Sequence, residues 1–288
     1  MKERSRLFEL LKTREFTILP GNVAYSFIMS IIPILSVLLY LLFSFNIPMT
    51  VLQDFLVKHL PNATVELLQP VFNSEIPINQ FVTLFFSFVI MTNSCNSIIV
   101  ASNTVFNIEN GSFLKRITKA LFLSIILVVL MAFMLIIPLF GKSIINLVGL
   151  FTDFVANHRT IIDTLYTVLQ IPVSLVVMFL IIKLIYVVAP DDKIKGKYVN
   201  KGALFTTISW LIVTIIYSYY INNIARYNLI YGNLANIVIL MLWFYLLAYM
   251  FVIGLCMNRI KSEESIEKTN KIKLDEIRKR VQEEQNKE

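Results

Sequence analysis

The chain has 288 residues and a net charge of +7, with 57% of residues hydrophobic and only 16% charged. A soluble domain carries about 25% charged residues and about 45–50% apolar ones, which excludes a water-soluble globule as the main body. Apolar residues gathered in long runs, at a mean hydropathy of +0.71, point to an all-α, polytopic membrane protein, and no recurrent strand-type alternation suggests a barrel.

Residues 1–21 read as a cytoplasmic amphipathic segment, with Leu7, Leu10 and Leu11 on one face and basic residues around it. Such a helix rests on a membrane surface, where Lys and Arg meet anionic headgroups. Pro20-Gly21 is expected to break the chain before it turns into the bilayer. Six spans follow, at about 22–45, 81–105, 119–140, 165–189, 202–221 and 234–258, each long enough to cross about 30 Å of hydrocarbon. The first ends without an A-x-A-like cleavage site and is too long for a signal-peptide core, so it reads as a retained span. Short surface helices are expected in the connection 46–80, on either side of Pro61, and in 143–158. Residues 259–288 form a charged cytoplasmic tail. Leu274, Ile277 and Val281 lie at helical spacing within it, but such tails are more often solvated and partly disordered.

Of the 26 Lys and Arg residues, 21 fall in the N-terminal segment, the 2–3 and 4–5 connections and the tail, four fall in the alternate connections, and Lys183 sits inside span four. That asymmetry predicts that both termini are cytoplasmic. Because the basic residues hug span ends and do not form one face, a nucleic-acid partner is not expected. Cys95 and Cys256 both lie in spans and form no disulfide framework or zinc pattern.

Span two begins as apolar chain and then fills with amides and hydroxyls, "SFVIMTNSCNSIIVASNTVFNIENG" over 87–111. At about 100° per residue, Asn93, Asn96, Ser97, Asn103, Thr104 and Asn107 share an arc of about 120°. Unpaired amides in hydrocarbon cost several kcal/mol, so this side must meet other helices or water. Span one offers a matching side in Asn22, Tyr25, Ser26, Ser30, Pro33 and Ser36, where Pro33 frees a carbonyl one turn earlier. Span six repeats the pattern more weakly in Asn236, Trp243, Gly254 and Asn258, and Gly254 permits close helix approach. Two readings stay open: the stripes are hydrogen-bonding glue between helices, or Asn22, Ser26, Ser30, Pro33, Asn93, Asn96, Ser97, Asn103 and Asn107 line a path for a solute.

No Asp or Glu lies mid-span, which argues against a carboxylate relay. Lys183 reads as a snorkelling lysine or, with Arg226 on the outer side, as a contact for an anion. His59 and His158 each lack a second metal ligand at standard spacing. Asp191-Asp192 reads as a loop start after Pro190. No nucleophile–base constellation or phosphate-binding glycine loop occurs, so neither enzymatic activity nor a metal or other cofactor is expected.

Four stretches carry a family resemblance: "AYSFIMSIIP" at 24–33, "SNTVFNIENG" at 102–111, "AP" at 189–190 followed by "KGALF" at 201–205, and "YNLIYGNLANIVILMLWFYLLAYMFVIGLCMN" at 227–258. Together they resemble the YihY/BrkB family of bacterial inner-membrane proteins, once labelled ribonuclease BN. The resemblance picks out Ala24, Tyr25, Ser30, Pro33, Asn107, Pro190, Gly202, Tyr231, Gly232, Trp243, Tyr245, Gly254 and Asn258. Where the family commonly has an acidic residue two positions before the last Asn, this chain has Cys256, so no role of that carboxylate carries over. The resemblance implies six helices in the cytoplasmic membrane and, among proposed roles, movement of lipids or small solutes. A zinc nuclease would need a histidine/aspartate cluster in a soluble domain, which this sequence lacks. The expected function is transport or translocation of a lipid or small amphipathic solute. The rival is a non-transporting scaffold for envelope or division proteins.

Overall fold

A computed structural model describes residues 9–10, 12–44, 80–130, 158–223 and 234–285, with isolated positions at 50, 53, 57 and 65. The described elements are helical, with no strand among the described residues. In chain order the long helices are α1 (Arg14–Ser44), α2 (Gln80–Phe106), α3 (113–130), α4 (Arg159–Val188), α5 (Asn200–Asn223) and α6 (Ala235–Gln285). Four stretches are long and apolar enough to cross a membrane: Phe16–Val37, Phe85–Phe106, Asn200–Ile221 and Ala235–Glu263. A shorter apolar stretch, Pro172–Val188, lies in α4. The surface helices expected within 46–80 and over 143–158, and the far end of span three, lie largely outside the described residues.

Two boundaries differ from the sequence expectation. Pro20-Gly21 does not break the chain, because α1 runs through both residues and through Pro33. Pro20 removes one backbone bond, to the Phe16 carbonyl. Burial of Phe16, Leu19, Val23 and Ala24 around it holds the helix together. The interruption comes earlier, at Lys12-Thr13, where the Lys12 N–H donates to the Glu9 carbonyl and the Thr13 N–H to the Leu10 carbonyl. At the other end, α6 does not stop at the composition change after Asn258 but continues to Gln285. Glu, Lys and Arg are good helix formers, and Pro and Gly are absent from 255–285.

The packing is centred on α1 and α6. Helix α1 lies along α2, α6 touches α1, α2 and α5, and α4 packs on α5. Val23, Ile98, Ile99, Ile182, Phe251 and Leu255 are buried in one core cluster. Phe27 of α1 meets Trp210, Phe244 and Phe251 edge-on, with ring centroids 5.8, 6.3 and 5.8 Å away. Within a bilayer, where lipid tails are as apolar as Leu, such packing and interhelical hydrogen bonds hold helices together.

Candidate functional site

The α5–α6 pair is zipped in one antiparallel register. Near its open end the Gly202 N–H donates to Asn258 Oδ1 at 2.9 Å. Gly202 lies in the first turn of α5, whose N–H groups have no partner inside their own helix, so an α6 side chain caps α5. Next along the seam, Tyr186 of α4 donates its hydroxyl to the Phe251 carbonyl at 2.7 Å and lies 2.7 Å from Thr206 Oγ1. Trp210 then donates to the Leu247 carbonyl at 2.8 Å, Trp243 to Thr214 Oγ1 at 3.3 Å, and Tyr217 to the Ile239 carbonyl at 2.6 Å. The backbones can approach this closely because a Cβ on Gly254 would collide with Thr206 Oγ1 and Tyr186 Oη, and one on Gly202 with the Gly254 carbonyl and Asn258.

A second polar cluster ties α2, α3 and α4 together. Asn103 is 0% exposed. Its Nδ2 donates to Asp191 Oδ2 at 2.8 Å and to Asn110 Oδ1 at 3.0 Å, while its Oδ1 accepts the Asp191 N–H at 2.8 Å. Lys119 donates to Asp191 Oδ1 at 2.9 Å and to the carbonyls of Ala189 and Pro190 at 2.9 and 2.6 Å. Lysine at the end of α4 therefore meets both the negative end of the helix dipole and its unpaired carbonyls. Burial raises the Asp191 pKa, but donation from Lys119, Asn103 and the Gly111 N–H outweighs it and holds the carboxyl below its ordinary 3.8. Asp191 is thus a half-buried structural anion at the loop start that the sequence predicts.

Helix α2 ends at Asn107, which takes φ 55°. The Ile108 N–H donates to the Asn103 carbonyl and the Asn107 N–H to the Thr104 carbonyl, at 2.9 and 3.2 Å. This is the Schellman pattern with Asn in place of the usual Gly. The chain it redirects borders an open cavity of about 440 Å³ lined by residues 10–19, the end of α2 and the chain after it, and α6. Leu10, Phe16, Leu19, Val105 and Ile108 form its apolar wall; Thr13, Thr104, Asn107, Glu109 and Arg259 are its polar lining, with Cys256 beside them. Arg259 donates to Glu263 Oε1 at 2.8 Å and to the Val105 carbonyl at 2.9 Å.

The residues expected to line a path do not share one enclosed side. Ser26 is buried and Ser30 half-buried, and each donates to the carbonyl four residues back, at 2.9 and 2.7 Å. Ser97 does the same to Asn93 at 3.4 Å. Asn22 and Asn93 are exposed, and Pro33 is buried. Asn103 is committed to Asp191, whereas Asn107 reaches the cavity. Asn96 is half-buried, and its Oδ1 is shielded from solvent without a hydrogen-bond partner among the described residues. Lys183 lies near the Phe179 ring, 5.9 Å from its centroid, and its Cε borders Gly196 in the loop after α4. That is the geometry of a side chain reaching toward the end of its helix.

Among the residues picked out by family resemblance, Gly202, Gly254, Asn258 and Trp243 belong to the α5–α6 seam. Pro190 is buried beside Lys119, and Tyr25 and Tyr245 are exposed. Tyr231, Gly232 and Arg226 lie outside the described residues. Sequence reasoning missed Lys119, Tyr186, Thr206, Glu109 and Arg259 as partners. Their spacing carries no signal, because Lys119, Tyr186, Thr206 and Arg259 bond to helices distant in sequence and Glu109 only lines the cavity. Among the described residues no group of three His, Cys, Asp or Glu could hold a metal ion.

Comparison with known proteins agrees with this architecture. A ribonuclease-like protein of Bacillus subtilis, YfkH, is 27% identical over 239 residues, covering 81% of this chain and 86% of its own. UPF0761 membrane proteins match over shorter stretches. That of Pseudoalteromonas translucida is 32% identical across 32% of this chain and 31% of its own, and that of Pasteurella multocida 28% identical across 34% and 31%. No solved structure matches. The family described as Virulence factor BrkB matches residues 7–277, nearly the whole bundle and most of the α6 extension, and this integral membrane protein belongs to that family.

Proposed function

We propose that this protein moves a lipid or small amphipathic solute through the seam between α1, α2 and α6. The observation that carries the reading is the cavity at the basic end of that seam, whose lining is part apolar and part polar. Roughly 12 Å above Thr104 along α2, at helical rise, half-buried Asn96 offers an oxygen shielded from solvent and without a hydrogen-bond partner among the described residues. Proposed contacts are Asn96, Thr104 and Asn107, with Ser26, Ser30 and Pro33 on the facing helix. The remaining helices complete six spans with both termini cytoplasmic; the 21-to-4 split of basic residues supports that orientation.

The test is flux through purified protein in liposomes, with labelled lipids and polar osmolytes as cargo. Asn96→Leu combined with Thr104→Val should lower flux at least tenfold while leaving the fold intact; unchanged flux removes the seam from the mechanism. The continuation of α6 to Gln285 favours one rival, a scaffold that engages envelope or division proteins. That rival predicts full cellular function for the same double variant and loss of function on deleting 264–288.

A further inference from the structure

The polar lining of the cavity contains one fixed cation, Arg259, and one fixed anion, Glu109. Arg259 commits its Nε–H to Glu263 and one Nη1–H to the Val105 carbonyl. A guanidinium has five N–H donors, so three have no partner among the described residues. The Glu109 carboxylate has neither an ion pair nor a hydrogen bond among the described residues. A purely anionic ligand would suit Arg259 and meet repulsion from Glu109, and a cation would suffer the reverse. An uncharged ligand would displace water from both charges and return nothing to either.

The two threonines sharpen the match. Thr13 gives its hydroxyl hydrogen to the Leu10 carbonyl and Thr104 gives its own to the Val100 carbonyl, at 2.8 and 2.9 Å. With that hydrogen spent, each oxygen can only accept, which suits an ammonium and not a phosphate. The guanidinium, by contrast, is shaped to grip phosphate with two parallel bonds. A volume of about 440 Å³ is within the range of small-ligand sites, about 300–1,000 Å³, and the wall of Leu10, Phe16 and Leu19 offers an apolar continuation.

We propose that this cavity binds the zwitterionic headgroup of a membrane lipid, its phosphate on Arg259 and its ammonium on Glu109 and the threonine oxygens. The inference rests on the transport reading only in its choice of cavity, and it narrows the cargo to phosphate–amine lipids.

The experiment is calorimetric titration of the purified full-length chain in detergent with three probes: short-chain phosphatidylethanolamine, short-chain phosphatidylglycerol and soluble phosphoethanolamine. Phosphatidylethanolamine should bind about tenfold tighter than phosphatidylglycerol, the return expected from one charged hydrogen bond. Glu109→Gln, at an exposed position, should erase that preference, weakening phosphatidylethanolamine and, with the repulsion removed, tightening phosphatidylglycerol. Arg259→Gln should weaken both lipids about tenfold, and Arg259→Lys should recover most of the loss. Equal affinity for the two lipids, or a preference that survives Glu109→Gln, overturns the proposal. Soluble phosphoethanolamine binding as tightly as the lipid overturns the lipid source and assigns the site to a free zwitterion. Selective binding without flux in liposomes leaves this inference standing and removes the transport reading; flux without selectivity does the opposite.

Discussion

The two sides of α6 near its level of Asn258 are built in opposite ways. Toward α5 the seam is tight, with glycine facing glycine and aromatic N–H and O–H groups donating across it at near-regular steps. Toward α1 and α2 the same helix leaves an open, partly polar cavity whose threonine hydroxyls bond to carbonyls three or four residues back in their own segments. The first side holds only if every partner is present, and the second tolerates change because little is shared across it. Rigidity and room for a ligand are thus separated across the width of one helix.

The strongest way to break the contrast is Gly254→Ala. A methyl there collides with Tyr186 and Thr206, so unfolding in detergent should show a loss of about 3 kcal/mol, the upper range of overpacking. Asp191→Asn comes next. It leaves Lys119 half-buried beside an uncharged group, the two side chains being 22% and 8% exposed, and about 2 kcal/mol should be lost, less than for a fully buried pair. The pH dependence has a defined sign. Because the folded-state value of Asp191 is depressed, its contribution is complete above pH 3.8 and is lost as pH falls through the lowered value. An acid titration of stability that is steeper in Asp191→Asn than in the parent would refute this. Asn107→Val should cost about 1 kcal/mol from the left-handed φ, whereas Asn107→Gly should be near neutral. On the cavity side, Thr104→Val should change stability by less than about 0.5 kcal/mol. A loss as large as that of Gly254→Ala would erase the distinction between the two sides.

The division also explains what could be read from the sequence. Long apolar runs announce themselves, so α1, α2, α5 and α6 were legible from composition and length. Gly254 and Asn258 were visible as a pair on one side of span six, but their partners Gly202 and Tyr186 were not, since helical periodicity says nothing about which helix comes alongside. The stripe on α2 was legible as a polar arc, yet its members divide among a helix cap at Asn107, a buried tie at Asn103 and an exposed side chain at Asn93. Arc geometry is a property of one helix, and that division is made by the neighbours. Pro20 misled for the same reason. A local breaker loses to tertiary packing when the residues around it are buried.

Helix α6 continues without interruption from the α5 seam, past Arg259, to Gln285, a run of 51 residues or roughly 77 Å at helical rise. A loop at residue 260 would have absorbed any tug on the distal end. In an unbroken helix the distal end and Arg259 share one continuous run of backbone hydrogen bonds. The charged extension and the cavity-lining Cys256 and Arg259 therefore belong to one helix.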